Sequence, residues 1–64
     1  MKIKYDKKID VLYIRFSDEP IKESDEQKPG IILDYSKEGS IVGIEILDAS
    51  KHIPHPSKFE YEVA

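Results

Sequence analysis

The sequence predicts a mainly β domain: a small antiparallel sheet of four strands, or five, built from two hairpins in a meander with few helical residues. Two observations lead to this fold class. Apolar and polar side chains alternate along residues 10–16 and 40–47, and each stretch follows a shorter strand-like run and a polar turn. Alternation with a period of two is typical of a strand, and two such runs joined by a short loop indicate a hairpin. A chain of 64 residues has room for one domain.

Four strands are expected, in chain order, over Lys2–Tyr5, Asp10–Phe16, Gly30–Tyr35 and Ser40–Leu47. The first hairpin then lies within residues 1–18 and the second within residues 30–50, so that residues 1–50 form a two-hairpin domain. Gly39 can take the left-handed conformation that closes a short hairpin loop. Ile9 stands at the equivalent place in the first hairpin, where a β-branched residue resists positive φ. The two turns are therefore expected to differ.

The two hairpins also resemble each other in sequence at an offset of thirty residues. Four positions are identical between the copies: Tyr5/Tyr35, Lys7/Lys37, Ile14/Ile44 and Asp18/Asp48. A central pairing of the two long strands is the alternative to the meander. Arg15 and Glu45 occupy equivalent positions, and they would form a cross-strand ion pair if the long strands were neighbours.

The segment between the hairpins is predicted to be an acidic loop over residues 19–29. Residues 17–29 contain five acids, two lysines and two prolines. Long loops are either functional or mobile, and a charged run is most often a solvated connector.

The tail, residues 51–64, is predicted to form a turn followed by a short edge strand. Phe59, Tyr61 and Val63 alternate with Glu60 and Glu62 at the strand period. The spacing of Ser57 and Glu60 also fits a helix capping box, but the nearby prolines and the short remaining length favour the strand.

Apolar side chains occur on both faces of the predicted sheet. One face carries the core residues Leu12, Ile14, Phe16, Val42, Ile44 and Ile46. The reverse face carries Val11, Tyr13, Ile32 and Ile41 beside Arg15, Asp34 and Glu45. The tail, a second copy of the chain or a different protein could cover this reverse face. We expect an interface there, with Val11, Tyr13, Arg15 and Ile41 as partner-binding residues.

Composition narrows the kinds of partner. A net charge of −3 with dispersed lysines argues against direct nucleic-acid binding. No apolar run is long enough to span a bilayer and no secretory signal is present, so we expect a soluble protein without membrane contact. The absence of cysteine excludes disulfides and suggests the cytoplasm. Since so short a chain buries little surface, oligomerisation is a natural source of further stability.

No catalytic residue, cofactor or metal ion is predicted. His52 and His55 could offer two imidazoles, but Pro54 and Pro56 prevent the helical register that would aim both at one ion. The alternative function is a small ligand-binding or weakly catalytic domain that uses Asp18 and Asp48, the aspartates at the ends of the long strands. Strand-ending aspartates are, however, common in turns.

Three stretches carry a family resemblance between Tyr5 and about Ser50. They are Y5-D6…D10-x-L12-Y13-I14, then P29-G30-I-I-L33-D34, and then G43-I44-E45-I46-L47-D48-A49-S50. This order resembles a family of very small bacterial and archaeal proteins known only as a domain of unknown function. The resemblance implies no activity, cofactor or catalytic residue.

Some members of that family resemble antitoxin partners of small basic toxins. This resemblance implies a partner-seeking acidic protein, which would be homo-oligomeric, bound to a small basic protein, or both. In such a complex the acidic loop could lie across a basic surface, with Glu23, Asp25 and Glu26 as further partner-binding residues.

Overall fold

The computed structural model describes residues 1–64 and consists of one five-stranded antiparallel sheet followed by a single helical turn. The elements are β1 Lys2–Asp6, β2 Val11–Arg15, β3 Glu23–Lys28, β4 Ile31–Tyr35, β5 Ile41–Ile46 and α1 Ala49–His52. The mainly β class and both predicted hairpins are confirmed. None of the helical structure is both long and apolar enough to cross a bilayer.

The strand order is β1-β2-β5-β4-β3, so the two long strands pair at the centre of the sheet. The predicted meander is therefore wrong, and the alternative strand order is the one observed. Central pairing gives β2 and β5 a neighbouring strand on both sides. The connector of residues 16–22 runs along one end of the sheet, with hydrogen bonds from Phe16 N to Val42 O (2.8 Å) and from Lys22 N to Tyr35 O (2.7 Å).

The sheet has an approximate two-fold axis that matches the sequence repeat. Ile14 of β2 lies directly opposite Ile44 of β5, and these are equivalent positions of the two copies. Ile14 also faces Ile3 in the first hairpin, just as Ile44 faces Leu33 in the second. The two hairpins thus share one register, which a β-bulge in the second hairpin interrupts at Tyr35.

The predicted acidic loop contains the fifth strand, β3, and this corrects the prediction for residues 19–29. The fifth strand had been expected in the tail. β3 has the sequence ESDEQK, and every one of its residues is exposed. Because none of them is apolar, the segment lacks the alternation by which a strand is recognised. Backbone hydrogen bonding to the outer edge of β4 forms the strand, while its charged side chains remain in water.

The tail contains α1 and a turn, and its last residues do not pair with the sheet. Lys58 N donates to His55 O across the turn (3.0 Å), and no backbone hydrogen bond involves residues 59–64. Phe59, Tyr61 and Val63 are exposed. In the single chain, therefore, these residues do not form the predicted edge strand.

The two hairpin turns differ, as expected. Gly39 has φ +85° in the second turn, whereas Asp10 takes the left-handed conformation in the first, with φ 55°. Aspartate tolerates this region better than the β-branched Ile9 that precedes it.

The core is small because the sheet is a single layer. Only 8 of 64 residues are buried, and the buried apolar side chains belong to Val11, Leu12, Val42 and Ala49. The molecule measures 33 × 32 × 19 Å along its principal axes. Most apolar side chains of the sheet therefore keep contact with solvent.

Candidate functional site

Tyr5, Asp10 and Ser50 join the first hairpin turn to α1, and we call these three residues the Asp10 cluster. The Asp10 carboxylate accepts hydrogen bonds from the Tyr5 hydroxyl (2.6 Å), the Ser50 hydroxyl (2.7 Å) and the Ser50 backbone N–H (3.1 Å). The Asp10 carbonyl also accepts the Ala49 N–H at 2.9 Å. The left-handed Asp48 turns the chain at the start of α1 and brings Ser50 to this carboxylate.

The ionisation of the Asp10 cluster follows from these contacts. The hydrogen bonds from Tyr5 and Ser50 lower the pKa of Asp10, because they stabilise its charged form. The same bond to Asp10 raises the pKa of Tyr5, because ionisation would remove its proton and set two negative charges together. These hydrogen bonds tie the first hairpin turn to α1.

A second polar group lies on the face of the sheet that carries Tyr13, which we call the Tyr13 face. Asp34 is only 3 % exposed, and its carboxylate accepts a hydrogen bond from the Ser24 hydroxyl (2.6 Å). Gly43 lies directly opposite Asp34 on the neighbouring strand. A Cβ on Gly43 would lie 3.5 Å from Asp34 Oδ2, so the glycine leaves space beside the carboxylate.

Glu45 and Asp34, whose side chains line one groove on the Tyr13 face, are called the carboxyl pair here. Burial raises the pKa of Glu45, and the hydrogen bond to Asp34 and the negative charge of Asp34 raise it further. The pair thus favours a proton on Glu45. It is a polar contact within the sheet, with Tyr13 directly opposite Glu45 on β2.

The residues of the Tyr13 face form two rows across all five strands, because paired residues project to the same side. One row is Lys4, Tyr13, Glu45, Ile32 and Glu26, and the other is Lys2, Arg15, Gly43, Asp34 and Ser24. The basic residues lie at the β1 side and the acidic residues lie toward β3. The Tyr13 face is therefore polarised in charge.

The connector between β2 and β3 lies against this face. Ile21 joins Tyr13, Arg15, Asp34 and Glu45 in the lining of a shallow groove of ≈ 240 Å³. The Arg15 guanidinium donates to the backbone carbonyls of Ser17 (2.9 Å) and Glu19. Arg15 therefore holds the connector in place.

The ion pair predicted between Arg15 and Glu45 is absent. The long strands are neighbours, but the register places Tyr13 opposite Glu45 and Gly43 opposite Arg15. The Arg15 guanidinium donates instead to the connector.

The predicted partner-binding residues do not form one patch. Tyr13 and Ile41 are 36 % and 47 % exposed, whereas Val11 is buried at 6 % beside the point where α1 docks on Asp10. The open part of the Tyr13 face thus includes Tyr13 and Arg15 but not Val11, and Ile41 lies beyond the β-bulge, where it pairs with Tyr35 of the opposite face.

The three predicted acidic residues are exposed on β3, at the edge of the sheet. Glu26 pairs with Ile32 and so lies on the Tyr13 face, while Glu23 and Asp25 pair with Tyr35 and Leu33 and project to the opposite face. They form an acidic edge that is three strand spacings, about 14 Å, from Tyr13.

The other candidate residues remain apart. Asp18 and Asp48 follow antiparallel neighbours, so they lie at opposite ends of the sheet. His52 lies in α1 and His55 lies beyond it, and no group of three or more metal-binding side chains is present.

Sequence reasoning missed both the Asp10 cluster and the carboxyl pair. For the carboxyl pair a signal was present, because Asp34 interrupts the apolar run Ile31–Leu33 and Gly43 interrupts a strand rich in isoleucine. A polar residue and a glycine at such places suggest a close cross-strand contact.

The fold and these clusters define a small single-sheet β domain with two related hairpins and two exposed faces. The chain belongs to DUF2283, a family of proteins of unknown function, whose model matches residues 2–50. This range begins with β1, ends at Ser50 of the Asp10 cluster and excludes the rest of the tail. Searches of curated proteins and of solved structures found no match.

Proposed function

We propose that this protein is a non-enzymatic protein-interaction domain, acting as a homo-oligomer, as an antitoxin-like partner of a small basic protein, or as both. One observation carries the proposal: a single-layer sheet leaves apolar side chains exposed on both faces. Tyr13, Phe16, Ile21 and Ile41 all remain at least 36 % exposed. Exposed apolar groups bordered by charge are typical of interaction surfaces.

The charge distribution supports both kinds of partner. On the Tyr13 face, bases at the β1 side and acids toward β3 allow two copies to meet with opposite charges in contact. The exposed acids of β3 and the net charge of −3 favour a basic partner and would speed its association.

The proposed surface is tested by Tyr13→Lys, with Ile9→Lys as the matched control. Ile9 is also exposed, but it lies in the first hairpin turn, away from the Tyr13 face. We expect Tyr13→Lys to weaken self-association, or binding to a basic protein encoded by a neighbouring gene, by tenfold or more, whereas Ile9→Lys leaves both unchanged. Sedimentation equilibrium and calorimetric titration measure these constants, and equal constants for wild type and Tyr13→Lys would exclude the Tyr13 face as the interface.

The competing ligand-binding or catalytic function receives no support from the aspartates that suggested it. Asp18 and Asp48 are exposed and lie at opposite ends of the sheet.

A further inference from the structure

The outer edge of β1 is open and basic. β1 pairs only with β2, so one side of its backbone has no partner strand. Lys2 and Lys4 project to the Tyr13 face, where they line an open groove with Tyr13, Arg15 and Asp18. Ile3 and Tyr5 project to the opposite face, and Ile3 is exposed. An unpaired edge of this kind can accept another strand.

The tail contains a segment with the complementary pattern. Glu60 and Glu62 alternate with Phe59, Tyr61 and Val63, and Tyr61 is 91 % exposed. The backbone of this segment makes no hydrogen bond. The same chain thus has a strand-like segment without a partner and a sheet edge without a partner.

An antiparallel pairing of the two segments matches at five consecutive positions. The pairs are Lys2 with Glu62, Ile3 with Tyr61, Lys4 with Glu60, Tyr5 with Phe59 and Asp6 with Lys58. Three pairs join opposite charges and two join apolar side chains, each of which stabilises a cross-strand contact. A slip of one residue would place every lysine opposite an aromatic or apolar residue. A parallel pairing keeps both lysine–glutamate pairs but sets Asp6 opposite Ala64.

The approximate two-fold symmetry of the sheet indicates the same pairing. β3 follows the first hairpin and pairs antiparallel with the outer edge of β4, the first strand of the second hairpin. The symmetry-related arrangement has a strand that follows the second hairpin and pairs antiparallel with the outer edge of β1. The tail segment follows the second hairpin and lies after α1.

We propose that residues 58–63 of one copy pair antiparallel with the outer edge of β1 in a second copy, and that the exchange is reciprocal. The donor is a second copy because, in the single chain, the segment leaves its own β1 edge open. Reciprocal exchange closes a dimer with two-fold symmetry and removes two exposed edges. The exchange goes beyond the proposed function, since it uses the β1 edge instead of Tyr13 and a segment outside residues 2–50.

The test uses two charge-reversed variants, Lys2→Glu/Lys4→Glu and Glu60→Lys/Glu62→Lys. In the first variant, acidic tails meet acidic edges, and in the second, basic tails meet basic edges. We expect each variant alone to dissociate at least tenfold more readily than the wild-type dimer. An equimolar mixture should form heterodimers, because each tail then meets an edge of opposite charge. Pairing within one chain would give no heterodimer.

Native mass spectrometry and sedimentation velocity measure these species. Lys7→Glu/Lys8→Glu is the matched control for Lys2→Glu/Lys4→Glu, because it changes the net charge by the same amount in the first turn, outside β1. Circular dichroism of each variant confirms folding, and a chain shortened after Ser57 should remain folded and lose the strand-exchanged dimer.

A dimer that survives shortening after Ser57 would refute the strand exchange while leaving association through the Tyr13 face intact, because the shortened chain keeps every residue of that face. A wild-type monomer at high concentration would refute the exchange and self-association together, and binding to a basic partner would remain as a separate measurement.

Discussion

We expect the substitution Gly43→Ala to destabilise the fold through steric contact of the added methyl group alone. A Cβ at this position would lie 3.0 Å from the Ile14 carbonyl O and 3.5 Å from Asp34 Oδ2. The Ile14 carbonyl belongs to the backbone of β2, so relief requires the two central strands to shift. Overpacking of this kind costs about 1–3 kcal/mol, and replacing glycine in a strand returns roughly 0.5–1 kcal/mol. The difference spans about 0–2.5 kcal/mol, and since the contact at 3.0 Å is with backbone, we expect Gly43→Ala to lower the free energy of unfolding by at least about 1 kcal/mol.

Urea and thermal unfolding followed by circular dichroism measure this loss. For a domain of this size, 1 kcal/mol corresponds to about 4–8 °C in Tm. Gly39→Asn is the control, because nothing lies within 4 Å of a Cβ there and asparagine tolerates a φ of +85°. If Gly43→Ala proved as stable as the wild type, the close contact between β2 and β5 would not exist as described.

Three further predictions concern substitutions in the carboxyl pair and in the Asp10 cluster. The pKa of Glu45 is raised in the folded protein. Protonated Glu45 therefore stabilises the fold at pH values below its ordinary pKa of 4.5, and this stabilisation is lost as the pH rises through the folded-state pKa. Glu45→Gln should therefore raise stability at neutral pH and flatten its decline in urea titrations between pH 4.5 and 7; an unchanged profile would contradict the pairing with Asp34. Because the pKa of Asp10 is lowered, its contribution is present above 3.8 and lost as pH falls through the folded-state value, and Asp10→Asn should weaken that acid dependence. Ser50→Ala should speed hydrogen exchange of the Ala49 amide tenfold or more while β4 amides stay protected, and equal rates would show that the hydroxyl does not hold α1.

The hairpins could be predicted because their strands alternate strongly, and Gly39 specified the second turn. The strand order could not be predicted, because the same alternation fits both a meander and a central pairing of β2 with β5. The pairing of Ile14 with Ile44 follows from the repeat only when the two hairpins are known to face each other. β3 was missed because Glu23–Lys28 has no apolar side chain, and only an existing neighbour, β4, makes such a segment a strand.

The exposure of the candidate residues was predicted in part. Tyr13 and Ile41 are exposed as the alternation implied, but Val11 is covered near α1, whose position depends on a long-range bond between Asp10 and Ser50. Contacts between residues forty positions apart leave no periodic signal. The β-bulge at Tyr35 shifts the pairing in the second hairpin, and its place depends on how side chains pack across the sheet.

The two related hairpins of the sheet make the molecule divisible. The two hairpins meet through the pairing of β2 with β5 and through the bond of Asp10 with Ser50, while the covalent link between them runs along one end of the sheet. A break in that link leaves both sets of contacts in place. Two separately expressed fragments, cut between residues 18 and 19, should therefore reassemble into the native sheet without a covalent link.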